Sequence, residues 1–326
     1  MLTIIHDPDK LERFCQMPPT LNPQGMARQK TDTHLMLENE TGEVTARCSL
    51  WWNNTPPYEN HTLGLIGHYS ADDEEAGKEI LQQACATLSW HGCTMAVGPM
   101  DGNTWNHYRL ITERGTHPKF FLEPDNADDL PQHFLANEFS ILAQYYSTIT
   151  NDLRMRDPRM EIVAEKMKTL GVKIRSFQPE NFLMELSSIY EVSLVAFQHN
   201  FLYTPIERAD FIAQYEQVKK FVRPELVLLA EHENRCVGFL FALPELAQAQ
   251  RGQAIETFIV KTVAVLPAPE FAGLGSLLVA RSHEIGASLG FTNAIHALMH
   301  EANKSRSISK HYSQELRRYA LFGKVL

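Results

Sequence analysis

Residues 263–276 read Val-Ala-Val-Leu-Pro-Ala-Pro-Glu-Phe-Ala-Gly-Leu-Gly-Ser, and this stretch decides the fold. Its apolar start is typical of a strand, which leads through Pro267 into a turn that contains Gly273 and Gly275. A helical pattern begins there. Because glycine has no side chain, the backbone N–H groups at the start of that helix can approach a pyrophosphate closely. The stretch therefore predicts a phosphate-binding turn between a strand and a helix.

The same order of elements occurs earlier in the chain. Gly77 and Gly275 are separated by the same offset as Gly92 and Gly290. Each segment has the pattern of a strand, a turn, a helix and a second strand, which indicates an internal repeat. The first copy is predicted over 63–67, 74–90 and 93–97, and the second over 258–265, 275–289 and 291–298.

The length of the chain fits two domains. With 326 residues and 44% hydrophobic content, it can bury two cores. A strand over 138–149 and a helix over 157–170 lie between the copies, so we predict domains at 1–152 and 153–326. Without a Gly/Ser linker, the two domains are expected to pack together. The second domain is predicted to begin with a strand over 172–177, helices over 180–199 and 206–222, and a hairpin over 226–231 and 236–243.

Composition excludes several classes of protein. A net charge of -9 disfavours nucleic-acid binding, and short basic groups such as Arg317 and Arg318 are interpreted as surface charge. There is no long apolar stretch and no signal-peptide pattern, so neither membrane insertion nor export is expected. The five cysteines are scattered, which fits a reducing cytoplasm.

The strand, the proline and the two glycines together resemble the GNAT superfamily of acyl-CoA-dependent N-acyltransferases. The resemblance implies an α/β fold of the α+β type with a mixed sheet. The expected protein consists of tandem GNAT-like domains, and each domain is a mostly antiparallel sheet flanked by helices. In the first copy the equivalent turn, 70–78, carries four consecutive acids at Asp72–Glu75. Because carboxylates repel a pyrophosphate, the N-terminal domain resembles a degenerate copy without a cofactor site.

The resemblance also implies the contacts of acetyl-CoA, the expected co-substrate. The backbone of Val263 would face the thioester carbonyl, and that of Val265 the pantetheine arm. Either Asn303 or Ser305 would contact the same arm, since two registers are possible. Glu270 stands where the family prefers Arg or Gln, so its carboxylate must point away or pair with a cation. The turn residues expected to hold the pyrophosphate are Ala272, Gly273, Leu274, Gly275 and Ser276.

Acyl transfer needs an acid and a base. By resemblance, Tyr312 would protonate the leaving thiolate. The inward positions of the preceding strand, Ile259 and Lys261, offer no carboxylate, so His300 is predicted to be the base that accepts the proton of the amine. Glu256, Glu301 and a water molecule remain alternatives for that base.

The acceptor is expected to be a small-molecule amine or a peptide amine. The segment 201–205, with Tyr203, lies where GNAT proteins receive it. Trp105, Tyr108, Arg109 and Glu123 could line a substrate cleft, although capping of a short helix and burial of Trp105 explain the same segment. Sequence leaves the acceptor's identity and the oligomeric state open.

The leading hypothesis is an N-acetyltransferase that moves an acetyl group from acetyl-CoA to an amine by direct attack in a ternary complex. A non-catalytic acyl-CoA or metabolite-binding module and an aminoacyl-tRNA-dependent transferase are the alternatives. His296 and His300 share one face of a strand, but a convincing third ligand is missing, so no metal is predicted.

Overall fold

A computed structural model describes residues 1–5, 8–155, 157–302 and 313–326. In these residues the strands form one mixed sheet of 13 strands. The strands are β1 (Leu2–Ile4), β2 (Thr33–Glu38), β3 (Val44–Trp51), β4 (Leu63–Ala71), β5 (Met95–Gly98), β6 (Leu110–Glu113), β7 (Ser140–Thr150), β8 (Lys173–Ser176), β9 (Val227–His232), β10 (Arg235–Pro244), β11 (Thr257–Val265), β12 (Asn293–His300) and β13 (Gln314–Val325). The α-helices are α1 (Pro8–Gln16), α2 (Pro23–Ala27), α3 (Glu74–Trp90), α4 (Leu130–Ala136), α5 (Arg159–Thr169), α6 (Phe182–Ala196), α7 (Arg208–Val218), α8 (Leu246–Gln250) and α9 (Leu274–Ser288).

Two parallel strand pairs, each connected by a helix, organise the sheet. β4 and β5 are joined through α3, and β11 and β12 through α9. A parallel pair needs such a crossover, whereas the other strand pairs of the described residues are antiparallel. The repeated strand, helix and strand are therefore confirmed, as is the mixed fold class.

The last strand of the chain lies in the first half of the sheet. The order along the sheet is β1-β2-β3-β4-β5-β13-β7-β12-β11-β10-β9-β8, so β13 is inserted between β5 and β7. In turn, β7 pairs with β12 of the second copy. Each half thus supplies a strand that borders the other, and backbone hydrogen bonds run across the junction. The boundary at 152/153 stays a prediction.

Helices cover both faces of the second half of the sheet. Along β10, Leu240 and Ala242 pack into the core beneath α9, while Phe239 and Phe241 pack into the core beneath α6 and α7. This alternation follows from the two-residue period of a strand. None of the helices in the described part of the chain has the length and apolar character needed to cross a bilayer.

A buried ion pair joins the two halves. Arg317 on β13 donates from Nη1 to Glu123 Oε2 at 2.6 Å, and both side chains are 0% exposed. The same carboxylate accepts hydrogen bonds from the Tyr319 hydroxyl and, at 3.1 Å, from the Phe120 N–H. The interpretation of Arg317 as surface charge is therefore wrong, because β13 is inserted in the sheet and directs this side chain inward.

Candidate functional site

β11 and β12 separate halfway along their length. The last parallel pair is Val260 with His296, although β11 continues to Val265 and β12 to His300. The divergence coincides with an irregularity in β12, where the register with β7 shifts and Leu298 has a φ of 60°. Beyond this point, the edge of β11 that faces β12 has no strand partner among the described residues. Its polar backbone groups are available to a ligand.

The N-terminus of α9 lies beside this gap and is uncapped. The N-cap residue Gly273 has a φ of 93°, and no side chain of the described residues caps the helix. The first N–H groups of a helix have no intrahelical acceptor and carry the positive end of the helix dipole. A Cβ on Gly275 would lie 3.7 Å from Val263 and 3.8 Å from Val265, so packing alone does not require glycine there. The turn thus has the features of an anion site.

The equivalent turn in the first copy lacks these features. Residues 72–73 separate β4 from α3, whereas residues 266–273 separate β11 from α9. Asp73 caps α3 by accepting a backbone N–H at 2.8 Å. A Cβ on Gly77 would lie 2.5 Å from His133 Nδ1, so this glycine serves packing. The short, acidic and already capped turn supports the interpretation of a degenerate copy.

A side chain also fills the gap between β4 and β5. Their last parallel pair is Leu65 with Val97, and just beyond it the carboxylate of Asp101 accepts the N–H of His68 at 2.6 Å. Burial raises the pKa of Asp101 to about 7. In the first copy a side-chain carboxylate therefore binds the backbone beyond the last strand pair, whereas in the second copy the equivalent edge of β11 has no such partner among the described residues.

A cavity of about 560 Å³ opens where β11 and β12 diverge. Both halves of the chain line it, together with the link between α6 and α7. Of the residues predicted for the cleft, Glu123 is not in the lining, because it is paired with Arg317. The predicted residues that do line it are Trp105, Tyr108, Arg109, Tyr203, Val263 and His300.

A second cavity, of about 550 Å³, lies between α5 and α9. Ser276 on the first turn of α9 lines it, and Val279 and His296 line both cavities. The two cavities therefore meet at the gap between β11 and β12. A molecule held at the start of α9 could extend through that gap into the first cavity.

His300 presents a hydrogen-bond donor rather than a free lone pair. Its Nδ1 accepts the N–H of Ala302 at 3.0 Å, so the proton of the neutral ring is on Nε2. Nε2 is buried and has no partner in the described part of the chain. Burial, followed by the positive charge of Arg109, lowers the pKa of His300. This arrangement favours donation of a hydrogen bond from Nε2 over the predicted role as a base, which stays a prediction.

The alternative bases lie outside the cavity. Glu301 is paired with Arg318 at 2.8 Å, and Glu256 is exposed at the residue before β11. Glu270 is exposed as well, so its carboxylate is not buried in the turn. The predicted turn residues 272–276 do lie together at the start of α9, and Val265 ends β11. The remaining predicted residues, Asn303, Ser305 and Tyr312, lie outside the described residues.

Sequence reasoning gave no role to Lys261, which lines the cavity. Its ammonium group donates to the carbonyl of Leu122 at 3.2 Å. Burial, followed by the charge of Arg109, lowers the pKa of Lys261 to about 8. The sequence feature that could have identified Lys261 is its position as a lysine within the apolar strand sequence Ile-Val-Lys-Thr-Val.

The sequence predicts that His296 and His300 do not form a metal site. His296 Nε2 lies 3.2 Å from His283 Nε2, a distance at which one ring donates to the other. In the residues described by the structure, no group of three or more His, Cys, Asp or Glu side chains is arranged to hold a metal ion.

Comparisons with known proteins show a similarity of fold and little similarity of sequence. No family model matches the sequence. The chain is 21% identical to Protein YghO of Escherichia coli K12 over 212 residues, which are 64% of this chain and 53% of that protein. The alignment thus spans about half the length of this curated relative.

Three solved structures share the fold. They are a probable N-acyltransferase of Enterococcus faecalis V583 (TM-score 0.56, 10% identity, 100% of this chain and 72% of that chain), the glucosamine N-acetyltransferase region of a fungal multi-domain protein (0.54, 12%, 99% and 38%) and the tandem GNAT protein of the clavulanic acid biosynthesis pathway (0.51, 10%, 100% and 98%). The chain therefore spans less than half of the fungal protein and nearly all of the tandem protein. At these identities the likeness concerns the fold.

Proposed function

The chain has the tandem GNAT fold, and from this premise we propose that it is an acyl-CoA-dependent N-acyltransferase. It transfers an acyl group, acetyl in the simplest case, from acetyl-CoA to an amine within a ternary complex. The observation that carries the proposal is the separation of β11 from β12 after Val260 and His296, beside the uncapped start of α9.

The donor is proposed to bind along this gap. The N–H groups at residues 273–276 would hold the pyrophosphate, since they are uncapped and carry the positive end of the helix dipole. The pantetheine arm would replace the missing strand partner of β11 near Val263 and Val265. This places the thioester where the second cavity meets the first, next to the residues that the two cavities share.

The acceptor is proposed to enter the first cavity. Its nitrogen, as the free amine, attacks the thioester carbonyl carbon, so a C–N bond forms and the C–S bond then breaks. A backbone N–H on the open edge of β11 would stabilise the oxyanion. The proton that the attacking nitrogen loses passes to the departing sulfur, so CoA leaves as the thiol, and His300 Nε2 is suited to donate a hydrogen bond to that sulfur.

The test is the release of free thiol from acetyl-CoA, followed colorimetrically, with a panel of primary amines. We expect amine-dependent release, and His300→Phe should lower kcat by about 10²-fold or more, since loss of one hydrogen-bond donor to a developing negative charge costs about that much. His91→Phe is the matched control, because His91 lines neither cavity and its ring stacks on Trp52 at 3.7 Å. Binding of acetyl-CoA with no amine-dependent release would instead support the non-catalytic module.

A further inference from the structure

Three polar atoms on residues that line the first cavity are buried and have no partner among the described residues. They are Arg109 Nε, the Tyr203 hydroxyl and His300 Nε2. An unsatisfied buried polar group is costly, and such groups are rare in folded proteins. Arg109 Nε is a donor, and so is His300 Nε2, because the Nδ1 of that ring already accepts an N–H. The cavity therefore offers donors to a ligand that carries acceptor atoms.

The charges on the cavity have the same sign. Arg109 and Lys261 line it, and none of the described lining residues is an aspartate or a glutamate. Glu123, whose charge favours the protonated form of Lys261, is itself paired with Arg317 at 2.6 Å. Two cations near a cavity without a neutralising carboxylate favour an anionic ligand.

Aromatic rings hold the Arg109 guanidinium in place. Its central carbon lies 4.0 Å from the ring centre of Tyr108 and 4.3 Å from that of Tyr145. The residue as a whole is only 8% exposed. Stacking of this kind orients the planar guanidinium and leaves its edge for a carboxylate or a phosphate.

The position of Arg109 limits the distance between the anion and the reacting amine. Its Nη1 donates to the carbonyl of Leu298 at 3.3 Å, and Leu298 lies on β12 where the strands diverge. An anion bound to Arg109 is therefore close to the proposed thioester. Trp105, Phe197 and Phe201 also line the cavity and offer apolar surface to the remainder of the ligand.

From this geometry, and resting on the function proposed above, we infer that the acceptor is an amino acid with an apolar or aromatic side chain. Its carboxylate binds Arg109 and Lys261, and its amine faces the gap between β11 and β12. The apolar side chain lies against the aromatic lining of the cavity. The inference concerns the ligand class and is independent of which acyl group is transferred.

The test is calorimetric titration of the full chain, without acyl-CoA, with pairs of ligands that differ by one carboxylate. The pairs are phenylalanine and phenethylamine, tyrosine and tyramine, tryptophan and tryptamine, and leucine and isopentylamine. In at least one pair the amino acid should bind about 100-fold more tightly or better, because each of the two cations is expected to contribute about 10-fold or more. Equal binding within every pair, or no binding by any amino acid, overturns the inference.

Phosphoethanolamine and ethanolamine form a further pair, and a preference confined to this phosphate overturns the carboxylate assignment. Acetyl-CoA is titrated separately. Its failure to bind would remove the proposed function, whereas failure of the amino acids alone would remove only the ligand class.

Variants test the two cations. Lys261→Met should reduce the preference for the carboxylate about 10-fold or more, while Lys173→Met, an exposed lysine on β8, should leave it unchanged. Arg109→Gln should reduce the preference further. Because Arg109 is buried, this substitution can prevent folding, and in that case Lys261→Met alone tests the role of the cations. An unchanged preference in Lys261→Met overturns the assignment.

The pH dependence provides an independent readout. Lys261 is charged below its pKa of about 8 and neutral above it. The nearby charged groups are Arg109 and Glu123, and the pKa of His107, which also lines the cavity, is lowered by burial. Affinity for the N-acetyl derivative of the preferred amino acid, which has no titrating amine, should therefore fall as the pH rises through about 8. The fall should be absent in Lys261→Met, and an identical profile in that variant contradicts the inference.

Discussion

Ser276→Glu is expected to weaken acetyl-CoA binding by about 100-fold or more. Ser276 is half-buried on the first turn of α9 and lines the second cavity. A carboxylate there would repel a pyrophosphate held by the N–H groups at 273–276. A glutamate in the first turn of a helix also interacts favourably with the helix dipole, so folding should not suffer. Calorimetric titration with acetyl-CoA and thermal unfolding measure the two effects separately.

The matched control is Ser276→Gln, which has nearly the same size and no charge. It should retain most of the affinity if electrostatic repulsion causes the loss. An equal loss in both variants would indicate a steric effect, and full affinity in Ser276→Glu would mean that the pyrophosphate does not bind at this turn.

Glu123→Gln is expected to lower the free energy of unfolding by about 3–5 kcal/mol, because it leaves the Arg317 guanidinium buried without its counter-charge. Both side chains are 0% exposed, and the pair connects β13 to the first half of the chain. Urea denaturation followed by circular dichroism would measure the change.

The double variant Glu123→Leu with Arg317→Met provides the control. Because it removes both charges together, it should cost less than the sum of the two single changes. Additive effects, or a loss below about 1 kcal/mol for Glu123→Gln, would contradict a structural role for this pair.

The repeated units could be predicted from sequence because their signals are local. The helix predicted over 74–90 is α3 with the same bounds, and the strand predicted over 138–149 is β7 within one or two residues. The periodicity of apolar residues within a short window of sequence is enough to predict such elements. The glycines at 273 and 275 are a local signal of the same kind, and they indicate the start of α9.

The position of β13 could not be predicted in the same way. The apolar run 319–322 indicates a strand, but the choice of neighbours depends on pairing with residues far away in the sequence. Insertion between β5 and β7 buries both faces of β13, which explains why Arg317 is internal. Its partner Glu123 is distant in the chain, and no local pattern connects the two.

The cavity shows the same limit. Trp105, Tyr108 and Arg109 are candidates from sequence because they lie in a segment dense in polar and aromatic residues. Lys261 is not, because a single lysine in a strand is a weak signal. Its importance depends on the absence of a carboxylate among the described lining residues and on the nearby Arg109.

The most direct test of the central claim is calorimetric titration of the wild-type chain with acetyl-CoA and, in parallel, with S-acetylpantetheine, which lacks the pyrophosphate and the phosphorylated adenosine. We predict saturable binding of one acetyl-CoA per chain and much weaker binding of S-acetylpantetheine, because the start of α9 contributes only to the former. No saturable binding of acetyl-CoA would contradict the acyl-CoA site, and equal affinity for both compounds would contradict the phosphate-binding role of the turn.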